Sequence, residues 1–127
     1  MIKEGNPDGY FGLYLLYEAK GGLKNKEKSF QFLKKGAEMG EVKSAYTLGL
    51  HYSSLEGHNN TYKYYHELAV KYYLIAANKG HKSSMFNLGL AYEVLENKEN
   101  AMKWYKKASE VGDKEALKEL KRLEREK

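Results

Sequence analysis

The chain has 127 residues, 42% apolar and 31% charged, with a net charge of +5 and no cysteine. That is enough for one domain around one core, with no apolar run of membrane-spanning length, and it rules out disulfides, thiolate zinc sites and cysteine nucleophiles. The positive side is nearly all lysine, with Arg122 and Arg125 the only arginines; base and phosphate readers favour arginine's planar fork, so the charge argues against nucleic acid as partner.

Residues Met1 to Gly9 lack the apolar core and cleavage site of a signal peptide, which favours a cytoplasmic location. The segment Gly9 to Tyr17 (GYFGLYLLY) then spaces its apolar residues for a helix, and the glycine pair Gly21-Gly22 separates it from a second helical segment, Ser29 to Gly40 (SFQFLKKGAEMG). The pattern returns as Ser44 to Tyr52 (SAYTLGLHY) and Ala69 to Gly80 (AVKYYLIAANKG), separated by the extra residues Leu55 to Glu67 (LEGHNNTYKYYHE). It returns again as Ser84 to Tyr92 (SMFNLGLAY) and Ala101 to Gly112 (AMKWYKKASEVG). Ser44 recurs at Ser84, forty residues on, and the aromatic, the Leu-Gly-Leu and the last tyrosine recur with it. The first copy has drifted, with Tyr14 where the others have Gly49 and Gly89.

Each copy reads as a helix A followed by a helix B. In helix A, Leu48, Gly49 and Tyr52 share a face on which glycine allows close approach, with Ala76 as the small partner from helix B. Gly40, Gly80 and Gly112 stand where a helix B needs a left-handed residue to stop. A lone helical hairpin cannot bury its faces, so the three must stack. After Gly112, Asp113 is suited to N-cap a last helix with an apolar stripe of Ala116, Leu117, Leu120 and Leu123, and an outer face of Lys114, Glu115, Lys118, Lys121 and Arg122.

Leu-Gly-x-x-Tyr followed by Ala-x-Lys-Trp-Tyr-x-Lys-Ala-x-Glu-x-Gly resembles the Sel1-like repeat, a relative of the tetratricopeptide repeat. The resemblance covers residues 7 to 112 and implies an all-α, right-handed α-solenoid of three αα-hairpins (about 7–40, 41–80 and 81–112) plus a capping helix (113–127), as one domain. Val94 to Asn100 departs from the family by joining its helices without glycine. The resemblance also implies an adaptor that holds a peptide or folded protein on the concave face lined by A helices.

On that face the recurring residues are Phe11, Tyr46 and Phe86, and Leu15, Leu50 and Leu90, with Glu18, Ser53, Ser54 and Glu93 one turn on as exposed polar neighbours. The aromatics fit either a groove or packing between repeats. An alternative is an inhibitor or immunity-type protein that blocks a toxin or enzyme through the insertion 55–67, where Tyr62, Tyr64 and Tyr65 fall outside the motif. No catalysis, metal or cofactor is expected: His51, His58, His66 and His81 lack ligand spacing, no serine has a nucleophile-elbow context, and Glu96 and Glu99 read as solvated turn charges. The oligomeric state is open, with a monomer favoured.

Overall fold

The computed structural model describes residues 8–55 and 61–126, and among them every regular element is helical. The helices are α1 (Asp8–Lys20), α2 (Leu23–Glu38), α3 (Val42–Ser53), α4 (Thr61–Ala77), α5 (Lys82–Val94), α6 (Lys98–Glu110) and α7 (Lys114–Arg125). α1, α3 and α5 each pack on the next helix as a hairpin, α2 and α4 also pack on the following A helix, and α6 packs on α7. The result is the expected α-solenoid of three hairpins closed by a final helix.

One device ends every B helix. Gly40, Gly80 and Gly112 take positive φ (89°, 91° and 101°), a conformation in which a Cβ is disfavoured. The next residue's N–H turns back to the carbonyl five positions earlier: Glu41 to Gly36 (2.9 Å), His81 to Ala76 (3.2 Å), Asp113 to Ala108 (3.0 Å). The glycine N–H groups bond Ala37, Ala77 and Ser109, completing the Schellman pattern that satisfies orphan carbonyls. Glu41, His81 and Asp113 then serve as N-caps of the following helices; His81 Nδ1 accepts from Ser84 N–H (3.2 Å) and Asp113 Oδ1 from Ala116 N–H (3.1 Å). The glycine-free turn after α5 uses the same scheme, with Glu96 itself at φ 58° and Asn97 capping α6 through Asn100 N–H (3.1 Å).

The core is two clusters strung along the stack. Leu33, Ala37, Ala45, Leu48, Tyr72 and Ala76 hold repeats 1 and 2, while Ala69, Tyr73, Leu88, Trp104, Tyr105, Ala116 and Leu123 hold repeats 2 and 3 and the cap; Tyr46 and Tyr52 pack against both. A Cβ at Gly49 would lie 2.5 Å from Cδ1 of Tyr73, and one at Gly89 would overlap the ring of Tyr105. The helix-A glycine therefore makes room for a buried helix-B aromatic ring, not for the small residue Ala76. Repeat 1 makes the opposite exchange, with Tyr14 in the glycine position and Leu33 in the place of Tyr73 and Tyr105, so bulk moves from one helix to the other. Gly36 makes a different close approach, where an added Cβ would lie 2.9 Å from the Cβ atoms of both Tyr10 and Ser44.

Two expectations for α7 are corrected. Leu117 is exposed, leaving Ala116, Leu120 and Leu123 as the packing face. Arg122, its side chain 40% exposed, is not a free outer charge but bonds Glu93 of α5, Glu119 (2.8 Å) and Glu126 (3.0 Å). The shared caps explain this. Aligned from Asp113, Arg122 falls at the position of Leu50 and Leu90, while Lys118, Lys121 and Glu124 replace Phe86, Gly89 and Tyr92 and close the stack. Residues 61–67 of the insertion form the first turns of α4, and 56–60, with His58, lie outside the described residues.

Candidate functional site

Because the B helices separate successive A helices, grooves open between α1, α3 and α5. A cavity of about 500 Å³ lies between the first two repeats, lined by Tyr14, Glu18, Lys26, Ser29, Phe30, Leu33, Thr47, Leu50, His51, Ser53 and Ser54. A second, of about 230 Å³, is lined by Leu50, Ser53, His66, Tyr73, Asn87, Leu90, Ala91 and Val94. Leu50 and Ser53 line both, so the two cavities adjoin across α3 as a trough on the helix-A face.

The trough is built by repetition. Thr47, Leu50 and Ser54 of α3, and Asn87, Leu90 and Val94 of α5, sit at i, i+3 and i+7 on one helix face. Leu50 and Leu90 are each 40% exposed, although Leu48 and Leu88 two residues earlier are fully buried. Helix-B tyrosine hydroxyls bond the A helices beneath this face, and of the groups involved Tyr73 and Ser53 line a cavity. Tyr73 Oη lies 3.0 Å from Ser53 Oγ, and Tyr105 Oη donates to Glu93 Oε2 at 2.7 Å. Burial raises the Tyr73 hydroxyl above its ordinary pKa, with hydrogen bonds to Ser53 and Asn87 opposing. Burial and then the Glu93 carboxylate raise that of Tyr105. Both hydroxyls stay protonated and rigidly held at neutral pH. In repeat 1 the matching place is held by Glu18, which accepts from Ser29 Oγ at 3.2 Å.

The sequence-derived candidates separate into three groups. Glu18, Leu50, Ser53, Ser54 and Leu90 line the trough. Phe11, Tyr46 and Phe86 are half-buried packing residues: Tyr46 lies 6.2 Å from the Tyr73 ring and 4.6 Å from His81, Phe86 lies 5.7 Å from Tyr105, and Phe11 lies 5.6 Å from Tyr14. Leu15 and Glu93 line neither trough cavity; Leu15 stands 51% exposed on the outside of α1, and Glu93 is engaged by Tyr105 and Arg122. Tyr62 and Tyr64 are exposed on the first turns of α4, whereas Tyr65 is half-buried. Sequence reasoning missed Thr47, Asn87 and Val94, although their constant offset from Leu50 and Leu90 carries the signal. Among the described residues no group of three or more His, Asp or Glu side chains is placed to hold a metal ion, and no helix is long and apolar enough to cross a membrane.

A family profile described as Sel1 repeat matches three successive segments, 9–41, 42–81 and 82–113. Among solved structures, the chain is similar to a Sel1 repeat protein from Oxalobacter formigenes, with 27% identity over 92% of this chain and 89% of that one and a TM-score of 0.72. It is also similar to a protective antigen present in uropathogenic Escherichia coli strains that displays an SLR fold, with 29% identity, a TM-score of 0.69, and coverage of 92% of this chain but 25% of that one. No curated protein sequence matches.

Proposed function

The chain belongs to the Sel1 repeat family, a family of protein-interaction scaffolds, and we propose that it acts as a non-catalytic adaptor whose trough between α1, α3 and α5 receives an extended peptide or a loop of a folded partner. The observation that carries this reading is the exposed Leu50 and Leu90 in two adjoining cavities, flanked by hydroxyl or amide groups of Thr47, Ser53 and Asn87. Apolar shelves with a few fixed polar groups are what an extended chain needs, because side chains fill the shelves while backbone amides bond the rim.

The test selects binders to the wild type from a displayed library of random peptides, then measures their affinity for Leu50→Glu and Leu90→Glu variants. Both leucines are 40% exposed, circular dichroism checks that the variants keep their fold, and a loss of at least about tenfold is expected for each. Unchanged affinity in both variants refutes the trough. Exposed Tyr62 and Tyr64 favour a second reading, in which an inhibitor-type contact is made through the start of α4. Under that reading Tyr62→Ser and Tyr64→Ser abolish binding while the leucine variants retain it.

A further inference from the structure

Equivalent positions line every gap between one A helix and the next, with α7 standing in for the last. Glu18, Ser53 and Glu93 stand near the ends of the A helices, Lys26, His66 and Lys98 stand early in the B helices, and Leu50, Leu90 and Arg122 come from the next helix. The first trio lines the larger trough cavity and the second the smaller one, while Glu93 and Lys98 line a hollow of about 180 Å³ with Leu123, the neighbour of Arg122. This third gap is filled from within the chain. Arg122 bonds one carboxylate oxygen of Glu93, the Tyr105 hydroxyl donates to the other (2.7 Å), and Lys98 is turned instead to the Glu126 carbonyl (2.6 Å).

Repeat 1 keeps the acid and the lysine and lacks the arginine. Ser29 Oγ donates to one oxygen of Glu18 (3.2 Å), as Tyr105 does to Glu93, and the other oxygen has no partner among the described residues. Every ion pair among the described residues is made by Arg122, so Lys26 does not neutralise Glu18. In the place of Arg122 stands Leu50, beside a cavity of about 500 Å³. We propose, on the premise that the trough is the binding site, that this cavity takes an arginine side chain of the bound segment, its guanidinium on Glu18 as that of Arg122 is on Glu93. Arginine suits the place better than lysine, because its planar fork matches a carboxylate and its weaker hydration is less costly to remove. Tyr14 and Phe30 on the cavity wall supply rings for the guanidinium to pack on. The middle gap has Ser53 and His66 in these places and no acid among its lining residues, so one arginine fixes the register of the segment along the trough. The chain's net charge of +5 disfavours a polybasic segment, so a single arginine is the expected signature.

Two measurements on the full chain test this. In the first, Leu50→Arg supplies an arginine to the cavity from within, copying Arg122, and urea denaturation of that variant, of Glu18→Gln and of the double variant isolates the coupling between the two positions. Glu18→Gln lowers the urea midpoint of Leu50→Arg more than that of the wild type; equal losses overturn the proposal. In the second, peptides selected on the wild type from the displayed random library carry an arginine at one constant position. Replacing it by citrulline, which keeps the shape and loses the charge, weakens binding at least about threefold, and Glu18→Gln abolishes that difference. Leu90 lines only the other cavity, so Leu90→Glu reports on the trough apart from the arginine. Peptides weakened by Leu90→Glu that contain no constant arginine, or lose nothing with Glu18→Gln, overturn the arginine site and leave the trough standing. Peptides with a carboxylate at the constant position, whose binding falls with Lys26→Met, overturn it as well. Peptides indifferent to Glu18→Gln and to both leucine variants end both readings.

Discussion

Gly89→Ala is expected to destabilise the protein even though it replaces glycine by the best helix former. In an open helix interior the change gains about 1 kcal/mol. Here the new Cβ overlaps the ring of Tyr105, which is fully buried, packs on Phe86 at 5.7 Å and is anchored by its 2.7 Å hydrogen bond to Glu93. A ring held on three sides cannot yield, so overpacking costs about 1–3 kcal/mol, and a displaced hydroxyl loses about 1–2 kcal/mol more. The net loss is about 2 kcal/mol, a fall in Tm of about 5–10 °C at this chain length. Gly12→Ala, with nothing within 4 Å, gains about 1 kcal/mol. Urea and thermal denaturation followed by circular dichroism give both values. Opposite signs are required, and a neutral or stabilising Gly89→Ala refutes the ring-for-glycine account. Adding Tyr105→Leu to Gly89→Ala should cost less than the two changes summed, by about 0.5 kcal/mol or more, because Tyr14 and Leu33 already accommodate such an exchange in repeat 1.

Glu96 holds a left-handed conformation that glycine adopts without strain, so Glu96→Gly should stabilise by about 0.5–1 kcal/mol; a lower urea midpoint would contradict this. His81 must stay neutral at Nδ1 to accept from Ser84 N–H, and burial lowers its pKa below the ordinary value. The unfolded chain therefore takes up the proton first, and stability present above the ordinary histidine pKa of about 6.5 is lost as pH falls through the folded value. His81→Asp, which copies Asp113, should flatten that part of the Tm–pH curve between about pH 7 and 5, and an unchanged curve would show that His81 contributes nothing to it. Arg122→Ala should raise amide exchange in α7 while leaving α1 to α4 protected; uniform acceleration would mean that the cap and the stack open together.

The repeats, their stops and the leucines at their centres were legible because each rests on a local rule repeated three times. Gly40, Gly80 and Gly112 mark stops wherever a helix needs a left-handed residue, and Leu48 and Leu88 mark a face by periodicity alone. Identifying what fills the space at Gly49 was not possible, since Ala76 and Tyr73 both lie on helix B and their difference is one of axial position, which periodicity does not fix. The groove candidates split for a similar reason. Tyr46 and Leu50 are one helical turn apart, and only the placement of α4 and α5 decides that the first is packed and the second solvated. Arg122 was read as a surface charge because α7 lacks the repeat's glycine and aromatics; counting from Asp113 as from His81 puts it level with Leu90 and beside Glu93.

The junctions carry a consequence for how such a chain can be lengthened. Since the residue that completes one helix's stop also begins the next helix, Gly40-Glu41, Gly80-His81 and Gly112-Asp113 are interchangeable seams with no slack. Cutting at one and rejoining at another restores the same backbone bonds, so a whole hairpin can be removed or duplicated as a cassette. Of the turns within hairpins only Glu96-Asn97 repeats this seam; the others are Gly21-Gly22 and the long connection before α4. Growth in copy number is thus confined to one edge of the molecule, and variation in loop length to the other.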